Sequence, residues 1–180
     1  SVTDITLLTD NNPPIYLSLK LGTTTTFFNV GIKTILTTAE IKKGTITNSN
    51  GLKLLGLFGI NPAQFCNIFN KPGKGFVDKN PKFNKTALQN LLQSGIGFGY
   101  CIVHKKGGKI HTKKMDKKDM IRAATITGKP TIYYGGKGGK GKRIDVEFES
   151  SAYKFKINIR DTQGGDGYPT RMMCDFTDKK

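Results

Sequence analysis

The alternation of apolar and polar residues marks the strands of this chain before any other feature does. From Ile15 to Leu21 the period is two: Ile15, Leu17, Leu19 and Leu21 point one way, Tyr16, Ser18 and Lys20 the other. The shorter run Asp4 to Thr9 sets Ile5 and Leu7 against Asp4, Thr6 and Leu8. Between them Asp10, Asn11, Asn12, Pro13 and Pro14 predict a turn, because Asn tolerates unusual backbone angles and Pro ends ladder pairing. The two runs therefore read as a β-hairpin. Directly opposed side chains of an antiparallel pair share a face, so Asp4 joins Ser18 and Lys20 if it opposes either of them. A slip of one residue would send the acid to the far side.

Helical signals are fewer. Thr37 to Lys43 reads as a short helix, and Pro62 opens another whose Phe65, Ile68 and Phe69 make an apolar stripe. Asn84 or Thr86 caps a helix carrying Leu88, Leu91 and Leu92, and Lys117 to Ala124 turns Met120, Ile121 and Ala124 to one side. Asn48 to Gly51 reads as a turn and residues 71–85 as a basic loop punctuated by Pro and Gly. Residues 95–116 read as a second hairpin with Lys-Gly-Gly-Lys near its tip. The last third is β, and Tyr153, Phe155, Ile157 and Ile159 alternate there with Lys154, Lys156, Asn158 and Arg160. The expected class is α+β, with a mixed or antiparallel sheet and a few short helices. Residues 1–134 form the expected core with a basic insertion, and 135–180 a C-terminal β segment packed on it.

Charge changes the picture most. Residues 71–143 carry 16 Lys and 2 Arg against 3 acids, while the flanking stretches are close to neutral, and the whole chain stands at +16. So concentrated an excess repels itself unless it meets a polyanion, and duplex DNA is the partner expected. The plain alternative is a lysine-rich surface with no partner. With 180 residues the chain can bury a core. It starts without Met and is read as a processed product or fragment. No apolar run has the length of a membrane span and no signal peptide opens it, so neither a membrane partner nor secretion is expected. Cys66, Cys101 and Cys174 are odd in number and far apart, which suits reduced thiols. Nothing in the pattern sets an oligomeric state.

An Asp at the start of one strand, a turn, and a second strand ending Ser18-x-Lys20 resembles the PD-(D/E)xK nuclease superfamily over residues 1–22. The resemblance implies a Mg²⁺-dependent endonuclease. Asp4 and the carbonyl of Leu19 would hold the metal, and Lys20 would orient the attacking water or stabilise developing charge. Ser18 stands where the family usually has an acid. The family's helical Glu before the first acid has no counterpart here, and Glu40 is the nearest substitute. The stretch from Phe155 to Phe176 is similar to uncharacterised proteins of large tailed bacteriophages, which implies a phage protein in the host cytoplasm or the virion.

The loop Gly135 to Arg143, "GGKGGKGKR", is the best candidate for backbone contact with nucleic acid. Its glycines would let main-chain N–H groups approach phosphates, and Lys137, Lys140, Lys142 and Arg143 would neutralise them. Otherwise it is a mobile, solvated tip. It lacks the Gly-Lys-Ser/Thr ending of a nucleotide-binding loop. Arg160 and Arg171 flank the turn 161–167 and either fork onto phosphates or bases or pair with Asp161 and Asp175. Cys101, His104 and His111 match no common zinc spacing, and no G-x-S-x-G elbow is present. Two functions stand first: a DNA-binding, metal-dependent endonuclease, or a non-catalytic nucleic-acid-binding or virion structural protein. An adhesin-like β domain would explain the Thr-rich front but not the charge.

Overall fold

Residues 3–179 are described by the computed structural model, an α+β arrangement of two sheets and five short helices. The smaller sheet takes β1 (Ile5–Thr9), β2 (Asn12–Leu21), β5 (Tyr100–Lys106) and β6 (Lys109–Met115) in that spatial order. β2 and β5 run parallel; the two hairpins on either side are antiparallel. The larger sheet is antiparallel throughout, in the order β3 (Thr25–Gly31), β10 (Arg171–Asp178), β9 (Tyr153–Arg160), β8 (Arg143–Ser150), β7 (Ile126–Tyr134) and β4 (Phe76–Asp78). The division at residue 134 falls in the turn between β7 and β8. The C-terminal strands are the middle of this sheet, and β3, β7 and β4 complete it.

The larger sheet buries one face. Ile144, Val146, Phe148, Tyr153, Phe155, Ile157, Ile159, Met172, Cys174 and Phe176 alternate inward along three strands. They meet α2 (Ser49–Phe58), α3 (Pro62–Asn70), α4 (Lys85–Ile96) and α5 (Lys117–Ala124) through Leu55, Phe58, Phe65, Phe69, Leu88, Leu92 and Met120, in one continuous cluster. Each such side chain contributes about 1.5–3 kcal/mol by leaving water. The period-two reading of residues 153–160 holds here without change.

Three local expectations are corrected. The first turn is two residues, Asp10 and Asn11, and Pro13 and Pro14 lie within β2. Pairing runs Leu7 to Ile15 and then Thr9 to Asn12, so the extra β2 residue falls on the two prolines. A bulge is where a residue without an N–H costs no ladder bond. Secondly, Asn48 to Gly51 begins α2 and is not a free turn. The Asn48 side chain accepts from the amides of Asn50 and Gly51, and a Cβ on Gly51 would lie 2.2 Å from the Ile35 carbonyl oxygen. That close approach explains a glycine inside a helix. Thirdly, Phe76–Asp78 of the basic loop adds a short edge strand, with Phe76 stacked on Tyr134 at 4.4 Å.

α1 (Thr38–Lys43) precedes this group, and its Glu40 reaches forward to the Thr47 and Asn48 amides. Among the described residues no helix is long and apolar enough to cross a membrane.

Candidate nucleic-acid interface

The register of the first hairpin is one of the two that bring Asp4 to the polar face. Ile5 pairs with Leu17, which sets Asp4 against Ser18, and the Asp4 amide donates to the Leu17 carbonyl at 2.8 Å. That face turns inward. Ser18 is completely buried and its hydroxyl meets no hydrogen-bond partner. The Lys20 ammonium donates to the Thr26 carbonyl at 2.6 Å and so ties β2 to the start of β3. Burial holds the Lys20 pKa below its ordinary value, with the nearby Asp4 carboxylate working weakly against that shift. Asp4 itself accepts from the Leu19 amide at 2.7 Å, capping the end of the ladder.

These contacts decide how well the cluster fits a divalent cation. Asp4 offers one carboxylate, and one of its oxygens is already engaged. Among the described residues no three His, Cys, Asp or Glu side chains converge anywhere. Glu40, the substitute acid, is held by the Thr47 and Asn48 amides and the Thr47 hydroxyl, which lower its pKa, the hydroxyl contributing most. Mg²⁺ demands near-octahedral oxygen, and the cluster does not assemble that set. Cys101 faces outward while His104 and His111 face inward, so those three do not converge either.

The glycine loop uses several of its amides within the fold. Gly135 donates to Arg143, Gly136 to Tyr133, Gly139 to Gly136 and Gly141 to Gly135, so four of its amides are used within the fold. Gly75 donates to the Gly139 carbonyl at 2.9 Å, and a Cβ on Gly75 would lie 2.2 Å from the Tyr134 carbonyl oxygen. Lys137 is bound to Glu147 at 2.8 Å. The Lys142 ammonium stands over the Tyr168 ring at 5.1 Å, and Lys42 stands over the same ring at 5.2 Å. Lys140 is exposed.

The open face of the larger sheet arranges its polar residues in cross-strand rows. Arg143 pairs with Arg160 and Arg160 with Arg171, so three of the four arginines in the chain stand side by side on adjacent strands. Arg143 is tied down: Asp145, only 4% exposed at its side chain, accepts from its Nε at 3.0 Å and its Nη2 at 2.8 Å. The Asn158 amide oxygen accepts from the same Nη2 at 2.5 Å. Among the described residues Arg160 and Arg171 have no such partner; their Nε atoms are buried and unpaired. Neither expected ion pair forms. Asp161 accepts from Thr162, Gly167 and Thr170 inside its own loop; burial raises its pKa, but these bonds outweigh that and lower it. Asp175 accepts from Thr26 and Asn158.

The next rows are balanced. Asp175, Lys156 and Glu147 stand in line, then Lys154 and Glu149, with Lys137 and Lys179 closing on the glutamates. The β5–β6 hairpin is not balanced. Lys105, Lys106, Lys109, Lys113, Lys114, Lys117 and Lys118 are all exposed and none forms an ion pair among the described residues, although Lys113 stands over the Tyr153 ring at 4.6 Å. Asp116, the one acid among them, is spent with Asp119 in a capping box on α5.

No protein-family model, curated protein or solved structure matches the chain. The site rests on its own geometry. Sequence reasoning singled out Lys137 and Lys142, which the fold occupies, and passed over the hairpin lysines. The signal was present: seven lysines lie between positions 105 and 118, beside one acid that opens a helix.

Proposed function

We propose that the chain is a nucleic-acid-binding protein, that the β5–β6 hairpin and the first turn of α5 form its contact surface, and that it binds without cutting. One observation carries the reading: seven exposed lysines in a single hairpin and helix start with no ion-pair partner. On the larger sheet, by contrast, Lys156 and Lys154 face Glu147 and Glu149 across the ladder. Such a cluster, with Lys105 and Lys114 on one face of the hairpin and Lys106, Lys109 and Lys113 on the other, is costly alone and favourable against a row of phosphates, where bound counterions are released. Duplex DNA supplies such a row. The hairpin has no Phe or Trp, its Tyr100 is buried and His111 is its one exposed ring, so it presents no row of rings for stacking single-stranded bases.

The experiment is affinity for a duplex oligonucleotide as a function of salt. Engagement of around six phosphates gives a log–log slope of roughly −5. Replacing Lys105, Lys109 and Lys114 together with Ala flattens that slope by about 3. A slope unchanged by the triple replacement removes the hairpin from the interface, and no binding at low salt removes the function. The same preparation is assayed for plasmid nicking with Mg²⁺ and with EDTA. Metal-dependent cleavage that Lys20→Ala abolishes would replace this reading with the endonuclease.

A further inference from the structure

The geometry points to a discrete oxyanion site at the end of the larger sheet, built from Arg160 and Arg171 with Arg143 as its fixed wall, that takes one phosphate group. It is separate from the lysine hairpin and stands or falls independently of the nucleic-acid reading.

Like charges directly opposed across strands destabilise a sheet unless something neutral or opposite lies between them. The row Arg143–Arg160–Arg171 opposes two such pairs in succession. The internal acids at this end of the sheet are accounted for. Asp145 serves Arg143, Asp161 its own loop, Asp175 Thr26 and Asn158, and Asp166 the Tyr168 amide. Lys42 and Lys142 add two more positive charges on the Tyr168 ring, in the loop that joins Arg160 to Arg171. Five bases therefore stand with four acids here, and among the described residues none of those acids is bonded to Arg160 or Arg171.

The two free arginines are also held in place. Their Nε atoms are buried against the sheet without an acceptor, so the stems do not swing in water, and neither side chain is hydrogen-bonded by any described residue. What remains is their outer N–H groups, fixed about one strand spacing apart, ~5 Å. A planar, weakly hydrated fork repeated at that spacing suits a tetrahedral oxyanion with several acceptor oxygens. The fourth place in the row is Gly31, opposite Arg171, and nothing lies within 4 Å of where its Cβ would be. The row thus ends in open space beside the free guanidinium. Phosphate could arrive free or as the terminal group of a polynucleotide; the chemistry recognised is the same.

Inorganic phosphate is titrated into the whole chain at constant ionic strength, read by calorimetry and by thermal unfolding. The expected result is saturable binding that raises the unfolding temperature, with chloride inert. Arg160→Gln and Arg171→Gln weaken binding at least tenfold, and Lys140→Ala leaves it unchanged. Arg171→Lys, which keeps the charge and loses the fork, also weakens it. Because the glutamine variants remove packing as well as charge, Gly31→Glu provides a separate arm. It places a carboxylate in the open position beside Arg171, keeps or raises stability, and abolishes phosphate binding. A duplex with a 5′-phosphate that outcompetes its unphosphorylated twin, an advantage lost in Gly31→Glu, identifies the polynucleotide end as the source. Equal competition identifies free phosphate. No saturable phosphate effect, or an affinity that Gly31→Glu leaves unchanged, overturns the site.

Discussion

Replacing Ser18 by Ala should stabilise the protein. The hydroxyl is wholly buried between β1 and β5 and has no hydrogen-bond partner. An orphaned buried polar group costs about 1–3 kcal/mol, and its removal returns that cost. The opposing term is the space left by one oxygen. Taken as about 15 Å³ at about 24 cal/mol per Å³, it amounts to about 0.4 kcal/mol. The net gain is then between about 0.5 and 2.5 kcal/mol. For a chain of this length each kcal/mol raises the midpoint by about 2–4 °C.

Urea denaturation at pH 7 measures it, with the slope m as a check that the unfolded state is unchanged. Ser18→Glu, the substitution that would restore the nuclease motif, should do the opposite and destabilise strongly, because it buries an unpaired carboxylate. Loss of more than about 0.5 kcal/mol in Ser18→Ala would refute the reasoning, since the hydroxyl would then have a partner worth keeping. Stability gained by the glutamate would show that this face opens to water or to a cation.

Two further outcomes follow from the polar contacts. Asp145→Asn keeps the shape of the side chain but removes the charge that Arg143 grips twice; with Arg143 still 31% exposed, a loss of about 2 kcal/mol in urea denaturation is expected, and less than 0.5 would mean the pair is dispensable. Lys20 is protonated less readily in the folded chain than at its ordinary value of 10.5, so the unfolded chain binds more protons between the two values. Its share of the stability therefore rises with pH across that window, and the difference curve between wild type and Lys20→Met should rise there; a flat curve would put Lys20 in water.

Much of the fold could be read in advance, and the reasons for the failures are specific. Strands 144–150 and 153–160 are half-buried, so period-two alternation maps directly onto inside and outside. β2 shows the limit of that logic. Its alternation is as clear, yet Leu19 and Leu21 face out while Ser18 and Lys20 face in, with Leu21 77% exposed and Ile110 beside it 69%. Periodicity gives two faces; which one the body covers is decided by what packs on it, and the buried Tyr100, Ile102 and Met115 of the neighbouring strands lie on the same side as Ser18. The helix after Asn48 was hidden because an Asn that caps and an Asn that turns look alike. The arginine row was beyond reach for another reason. It depends on the registers of β8, β9 and β10 agreeing at one level, and no local pattern encodes that.

The contrast between the two sheets bears on catalysis as well as binding. A metal-dependent phosphodiesterase needs charge of both signs focused on one scissile group, and acids placed to hold a cation there. Among the acids of the larger sheet, Asp145 meets Arg143 and Lys156, Glu147 meets Lys137 and Glu149 meets Lys179, while Asp175 accepts from Thr26 and Asn158. Asp4 is committed to a backbone amide, Glu40 to the start of α2, and Asp116 and Asp119 to each other. Each serves the fold. Much of the positive charge, by contrast, has no ion-pair partner among the described residues, in the lysine hairpin and the arginine row and also at Lys71, Lys74, Lys79, Lys82 and Lys85. A surplus of cations, with no converging carboxylates among the described residues, is suited to holding phosphate. That asymmetry, more than the missing acid at Ser18, is why binding is the function the geometry supports.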